Sequence, residues 1–434
     1  MSLHNKRGDM SPFDMRRKPS MQYPFLMPLV WGGSFLLTRQ FGLKIDKSAM
    51  RGIKPPYLLI STHQGFTDYY IGPLAMFPHR AVYVSDMEGF AAFGKWLYRG
   101  LGCIGKRRYV PDLSVIMNIK YALKKGQSVV IYPESRHSNV GTTSYIPANL
   151  GRLAKLLAVP VVTISAKGCY LANPFWNEEK TRRVPITAKM ECIYDKAALE
   201  EAKPADIQAK IEEKLTYDEY AYQHEAGFLI KDQDRAEGLE LALYQCKACR
   251  QMYGMRTKGA VLWCESCQAK WTLSEDGWLV SKDSNKQQQK LHIPDWYEWQ
   301  RKNVTDELNY HKEFSKRYEV RIEALPNEKG FVKLGKGELI FNQKEFILSF
   351  IQKDGAREQL IFPHANRESV QTEYNYRQRG ACIVLSTKDC CYYTYSASSE
   401  FNPTQLQFAG EFFYGKEHKI VDKEHRIVEK NITL

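Results

Sequence analysis

Tyr57-Leu58-Leu59-Ile60-Ser61-Thr62-His63-Gln64-Gly65-Phe66-Thr67-Asp68 is the stretch that sets the fold. Its first six residues form a short apolar run of strand type that ends at His63. The polar segment from His63 to Asp68 therefore lies just past a strand end, where open α/β sheets bind their ligands. On a regular helix two residues five apart point about 140° from each other, so His63 and Asp68 meet only if a turn intervenes. Gly65 supplies the freedom for that turn. The pattern recurs downstream: Ser128-Val129-Val130-Ile131-Tyr132 delivers Pro133-Glu134-Ser135-Arg136, and residues 159–165 form a third run. Between the runs lie helical patterns, as at 113–125, where Ile116, Ile119 and Leu123 share a face. This alternation predicts an α/β domain with a largely parallel sheet flanked by helices.

Histidine gains and loses a proton near neutral pH, and a nearby carboxylate fixes its tautomer and stabilises the imidazolium. His63 with Asp68 is thus the equipment for deprotonating a hydroxyl. Four blocks in order resemble the glycerolipid acyltransferase family, the 1-acylglycerol-3-phosphate and glycerol-3-phosphate O-acyltransferases. HxxxxD is His63 and Asp68, and G-x-I-x-x-x-R is Gly102-Cys103-Ile104-Gly105-Lys106-Arg107-Arg108. The third block, F-P-E-G-T-R-S in the family, reads Tyr132-Pro133-Glu134-Ser135-Arg136-His137-Ser138, with its arginine one position early. The fourth reads Val159-Pro160-Val161-Val162-Thr163-Ile164, with Thr163 in place of a second proline. The resemblance covers residues 45–200.

That resemblance implies transfer of a fatty acyl group from acyl-CoA or acyl-carrier protein to the hydroxyl of a lysophosphatidic acid-like acceptor in phospholipid synthesis. His63 is then the general base, oriented by Asp68. Arg108, Glu134 and Arg136 bind the acceptor, with Lys106, Arg107 and His137 as neighbours; Glu134 pairing Arg136 is the structural alternative. The altered third block leaves open another lysolipid or a glycolipid as acceptor. No G-x-S-x-G turn is present to place a serine nucleophile, so transfer is direct. Residues 159–164 read as a buried strand in preference to an acyl tunnel, and Cys103 and Cys169 as packing residues.

The 434 residues have room for two or three domains. The net charge of +13 is uneven: residues 1–200 hold 28 Lys and Arg against 13 Asp and Glu, and 201–434 hold 34 against 36. The basic half would concentrate CoA, phosphate headgroups or an anionic membrane surface. The near-neutral second half argues against nucleic acid as a partner. Ten scattered cysteines point to a reducing compartment, and no signal peptide is visible. The expected location is cytoplasmic, peripheral on the inner face of the membrane. The uncharged stretch 19–38 has an apolar heart of 13 residues, 25–37, too short to span a bilayer. It reads as an interfacial helix or, alternatively, a buried hairpin, within a basic segment 1–44 that precedes an acyltransferase domain at 45–240.

Cys246-Lys247-Ala248-Cys249 and Cys264-Glu265-Ser266-Cys267 have the spacing of four thiolates around one structural Zn2+. They define a zinc ribbon at 241–280. Polar residues 281–320 read as a linker followed by a helix, with helical pattern over 296–317. Residues 321–434 read as a β-rich domain ended by a helix from Asn402-Pro403, resembling a pleckstrin-homology-like barrel. A non-catalytic zinc-ribbon module that binds protein is the alternative for the whole chain.

Overall fold

The computed structural model describes residues 8–282, 288–311, 313–352 and 354–418. The first sheet comprises β1 (Lys44–Asp46), β2 (Leu58–Ser61), β3 (Ala81–Asp86), β4 (Cys103–Lys106), β5 (Ser128–Ile131), β6 (Val161–Lys167) and β7 (Thr187–Tyr194). Their order is β1-β7-β6-β2-β5-β3-β4, and every neighbouring pair is parallel except β6 with β7. The sheet is therefore mixed but mostly parallel. The apolar runs are continuous because both faces are covered. Leu59, Val130 and Val162 enter one core, while Leu58, Ile60, Val129 and Val161 enter another built with the helices Leu113–Lys124, Leu150–Leu157 and Pro204–Leu215. Each such side chain contributes about 1.5–3 kcal/mol through burial.

The helix Pro204–Leu215 buries Ile207, Ile211 and Leu215, the face its spacing predicts. The helix Leu113–Lys124 turns Val115, Ile119, Ala122 and Leu123 inward and leaves Ile116 half-buried, because Ile116 borders a cavity instead of the core. Gly151 lets the helices Leu150–Leu157 and Pro204–Leu215 touch: a Cβ there would lie 2.0 Å from the Pro204 carbonyl oxygen.

A second, antiparallel sheet of β8 (Met255–Lys258), β9 (Val261–Cys264), β10 (Lys270–Leu273), β11 (Leu279–Lys282) and β12 (Gln288–Leu291) carries the cysteines. Part of the stretch expected as a linker is thus strand. β12 pairs with β11 along its length, and an edge strand facing water has no need of apolar residues. The following helix is Ile293–Tyr310, and residues up to Arg317 do not continue it. Arg317 belongs to β13 (Ser315–Leu325), where buried Tyr318, Val320 and Ile322 alternate with exposed Glu319 and Arg321.

β13, β14 (Val332–Asn342), β15 (Glu345–Ile351), β16 (Arg357–Pro363), β17 (Gln371–Glu373), β18 (Cys382–Ser386) and β19 (Cys391–Tyr395) form a third sheet, ordered β16-β15-β14-β13-β19-β18-β17. The helix Pro403–Glu417 follows, with the Asn402 side chain capping it by accepting from Gln405 N–H at 3.0 Å. Residues 401–410 are all buried, polar ones included. Their partners come from distant parts of the chain: Gln405 accepts from Tyr253 OH at 2.6 Å, and Gln407 Oε1 from Asn139 at 2.9 Å. The helix has no clean apolar stripe because its first eight residues, 403–410, are buried all round.

The N-terminal stretch is a short 3-10 turn, Pro24–Leu26, leading into one helix, Met27–Arg39. Phe25, Leu29, Phe35 and Leu36 are 60–74% exposed, so the stretch is not a buried hairpin. No helix among the described residues is long and apolar enough to cross a membrane.

Candidate active site

Four strands that lie side by side, β2, β5, β3 and β4, present their carboxyl ends to one cavity of about 1440 Å³. β2 brings His63, β5 brings Tyr132 and Ser135, β3 brings Asp86, and β4 brings Lys106 and Arg108. Strand order, not proximity along the chain, assembles the site.

His63 is 5% exposed and sits in an aromatic surround, its ring 4.7 Å from Tyr132, 5.5 Å from Tyr69 and 4.6 Å from His137. Nδ1 faces Asp68 Oδ2 at 3.8 Å, and Nε2 lies 3.5 Å from the Tyr69 hydroxyl on the cavity wall. A closure of about 1 Å brings Nδ1 within hydrogen-bond range of the carboxylate, a tightening common when substrate binds. The turn expected at Gly65 is present. Asp68 begins the helix Asp68–Met76, and its Oδ2 accepts from the backbone N–H groups of Gln64 and of Gly65, the latter at 3.0 Å. Burial, with His137 and Arg108 adding repulsion, holds the His63 pKa well below its usual value, so the ring is neutral at pH 7. Burial raises Asp68 to about 6.

Glu134 takes a different place from either expected one. It neither lines the cavity nor pairs Arg136: Oε1 accepts from the His63 backbone N–H at 2.8 Å, and Oε2 from Ser144 N–H at 2.8 Å and Tyr217 OH at 2.9 Å. It fastens the loop after β5 to the loop after β2 and so positions His63. Burial pushes its pKa up to about 8.

The three adjacent cations after β4 have separate fates. Arg107 donates to the carbonyls of Lys388 at 2.6 Å and of Pro326 and Asp389 at 2.8 Å, joining the α/β domain to the third sheet. Arg108 lies against Asp86 at 2.6 Å, Glu373 at 3.8 Å and Glu88 at 3.9 Å. Burial opposes its charge, but these carboxylates hold the guanidinium firmly protonated. Lys106 donates to Ser135 Oγ at 3.2 Å. Arg136 points away from this group to Glu411 at 3.4 Å.

Sequence reasoning did not find Tyr69, Glu373 or Glu411. Tyr69 follows Asp68 directly; the two glutamates come from β17 and the C-terminal helix and carry no local signal. His137 packs against His63 with Nδ1 at 3.5 Å from Glu178, and burial lowers its pKa to about 4.

Some distance along the chain, the four ribbon thiols lie within 4.8 Å of one another, with Sγ atoms of Cys246 and Cys267 3.7 Å apart and of Cys249 and Cys264 3.8 Å apart. A tetrahedral ion with metal–sulfur bonds of 2.3 Å spaces its sulfurs by about 3.8 Å, so the residues fit a metal ion. Each pair closes the same turn: Arg250 N–H bonds to the Cys246 carbonyl and Gln268 N–H to that of Cys264, both at 2.9 Å, with Arg250 and Gln268 left-handed.

Residues 43–167, which span the mostly parallel sheet's central strands and the histidine and carboxylate after β2, match the family model described as Acyltransferase. Among solved structures, the chain is similar to the 1-acyl-sn-glycerophosphate (LPA) acyltransferase PlsC from Thermotoga maritima, with 13% identity over 44% of this chain and 76% of that one, at a TM-score of 0.35. A structure of SsgB from Streptomyces coelicolor shares 14% identity over 27% of this chain and 98% of its own, at a TM-score of 0.15. No curated protein matches the chain.

Proposed function

We propose that this chain is an O-acyltransferase that moves a fatty acyl group from acyl-CoA or acyl-carrier protein to the hydroxyl of a lysophosphatidic acid-like acceptor. The observation that carries this reading is His63, neutral, with Nε2 toward a large cavity and Nδ1 toward Asp68. His63 Nε2 takes the acceptor's hydroxyl proton as its oxygen attacks the thioester carbonyl carbon. The C–S bond then breaks, and the thiolate leaves with the proton returned from His63, giving ester and free thiol. Asp68 stabilises the transient imidazolium. The direct test is thiol release from long-chain acyl-CoA or acyl-carrier protein that depends on lysophosphatidate, with the product lipid identified by mass. A glycolipid or other lysolipid is the second reading, favoured by the carboxylates around Arg108.

The pH profile follows from the same pair. As pH falls through about 6, Asp68 takes up a proton and no longer stabilises the imidazolium. The value of kcat/KM therefore rises through pH about 6 and is level above it, and Asp68→Asn removes that limb. An acid limb unmoved by Asp68→Asn would contradict the assignment.

The apolar face of Met27–Arg39 supports docking on an anionic membrane. Its exposed side chains adjoin Trp96 through Tyr23 and Phe77 through Trp31, and Arg16, Arg17, Lys18 and Arg39 flank them. Phe25→Ser with Leu29→Ser should weaken sedimentation with anionic vesicles by roughly tenfold; unchanged sedimentation would remove membrane docking from the model of function. The ribbon thiolates would hold Zn2+, a closed four-ligand site that cross-links the fold. For the third sheet we keep the pleckstrin-homology-like reading, which its seven antiparallel strands and the helix that follows them support.

A further inference from the structure

We infer that Lys106 and Ser135 form the subsite for a phosphomonoester on the acceptor, in place of the arginines that the sequence blocks point to. This rests on the acyl-transfer reading of the same cavity. The arginines are turned elsewhere: Arg107 holds three backbone carbonyls, Arg108 is ringed by Asp86, Glu88 and Glu373, and Arg136 contacts Glu411 and does not line the cavity. An incoming phosphate at Arg108 would meet those three carboxylates as well as the guanidinium.

Lys106 is in the opposite situation. It lines the cavity with His63, and its ammonium has a single hydrogen bond among the described residues, to Ser135 Oγ. An ammonium has three protons to donate, which leaves two for a ligand. Glu368 is on the same wall, yet no carboxylate among the described residues lies within 4.0 Å of the Lys106 nitrogen. Burial disfavours the charge of Lys106, and an arriving anion relieves that penalty.

Ser135 is the independent observation. Its φ is 59°, in the left-handed region that favours glycine, and it stands where the third sequence block has glycine. The strained serine places a hydroxyl 3.2 Å from the Lys106 nitrogen and 3.3 Å from the Pro133 carbonyl oxygen. The hydroxyl accepts from Lys106 and donates its one proton to the Pro133 carbonyl, so it fixes the ammonium on the cavity wall and leaves two ammonium protons for phosphate oxygens.

The phosphates of CoA share this chemistry, so both sources are titrated. Short-chain lysophosphatidate and CoA are each bound to the wild type, Lys106→Gln and Ser135→Gly, with acyl transfer measured in parallel. Lys106→Gln should weaken lysophosphatidate binding about 10- to 100-fold and raise its KM by more than it lowers kcat. Ser135→Gly should weaken binding several-fold while raising the melting temperature, which separates loss of the hydroxyl from misfolding. CoA affinity should be the same in all three proteins. Equal lysophosphatidate binding by wild type and Lys106→Gln overturns the subsite, as does no binding by the wild type or a loss confined to CoA. Binding that depends on Lys106 without any acyl transfer upholds the subsite and defeats the acyl-transfer reading instead.

Discussion

Acyl transfer by His63→Ala is expected to fall by on the order of 10² to 10⁴ in kcat/KM, the range for losing a general base, with little change in stability. The structure makes the second half of that statement specific. His63 Nδ1 has no hydrogen-bond partner among the described residues, so removing the ring breaks only the long 3.5 Å contact of Nε2 with the Tyr69 hydroxyl. The backbone N–H that binds Glu134 stays in the alanine protein. The remaining cost is the space left among Tyr69, Tyr132 and His137, on the order of 1–2 kcal/mol. Asp68→Asn should cost on the order of 10- to 100-fold. Circular dichroism and a thermal melt alongside the rate settle whether folding contributes. Transfer at wild-type rate in His63→Ala would dismiss the proposed mechanism outright.

Metal removal carries the largest expected effect on stability. Purified protein should contain about one Zn2+ per chain, and Cys246→Ser with Cys264→Ser should abolish it. A structural zinc site supplies on the order of 10 kcal/mol of folding free energy, comparable to the whole stability of a domain. The damage should travel, because Trp271 of β10 packs on Trp296 at 4.8 Å and Tyr253 bonds to Gln405 of the C-terminal helix. Chelated protein should therefore lose near-ultraviolet dichroism well beyond the ribbon. A chelated protein with an unchanged melt would mean that the four thiols hold no structural ion.

How much of this was legible depends on whether a residue's role is local. Leu58 to Ile60 and Val129 to Val130 announce buried parallel strands because no position in them faces water. The histidine and carboxylate are readable because one turn places them together. The cysteine cluster is readable because two thiols three residues apart wrap an ion within one turn. By contrast, the partner of Arg136 lies 275 residues away, and nothing near Arg108 announces Glu373. The strand β12, Gln-Gln-Lys-Leu, was obscured by its polar composition. The start of β13 was obscured by charges at Arg317, Glu319 and Arg321, although Tyr318, Val320 and Ile322 carry a period of two. The hydrogen bonds of Glu134 could not be read in advance, because a carboxylate that pins a loop and one that faces a ligand look alike in sequence.

The helix Pro403–Glu417 is the last described element of the chain, and its residues up to Gly410 are buried against elements that precede it. During synthesis the α/β sheet, the ribbon and the third sheet leave the ribosome before it does. Until Glu411 arrives, Arg136 and Arg301 lack the carboxylate that both of them contact. A chain interrupted before Asn402 leaves this seam uncovered, which proteolysis of a protein truncated there would read out.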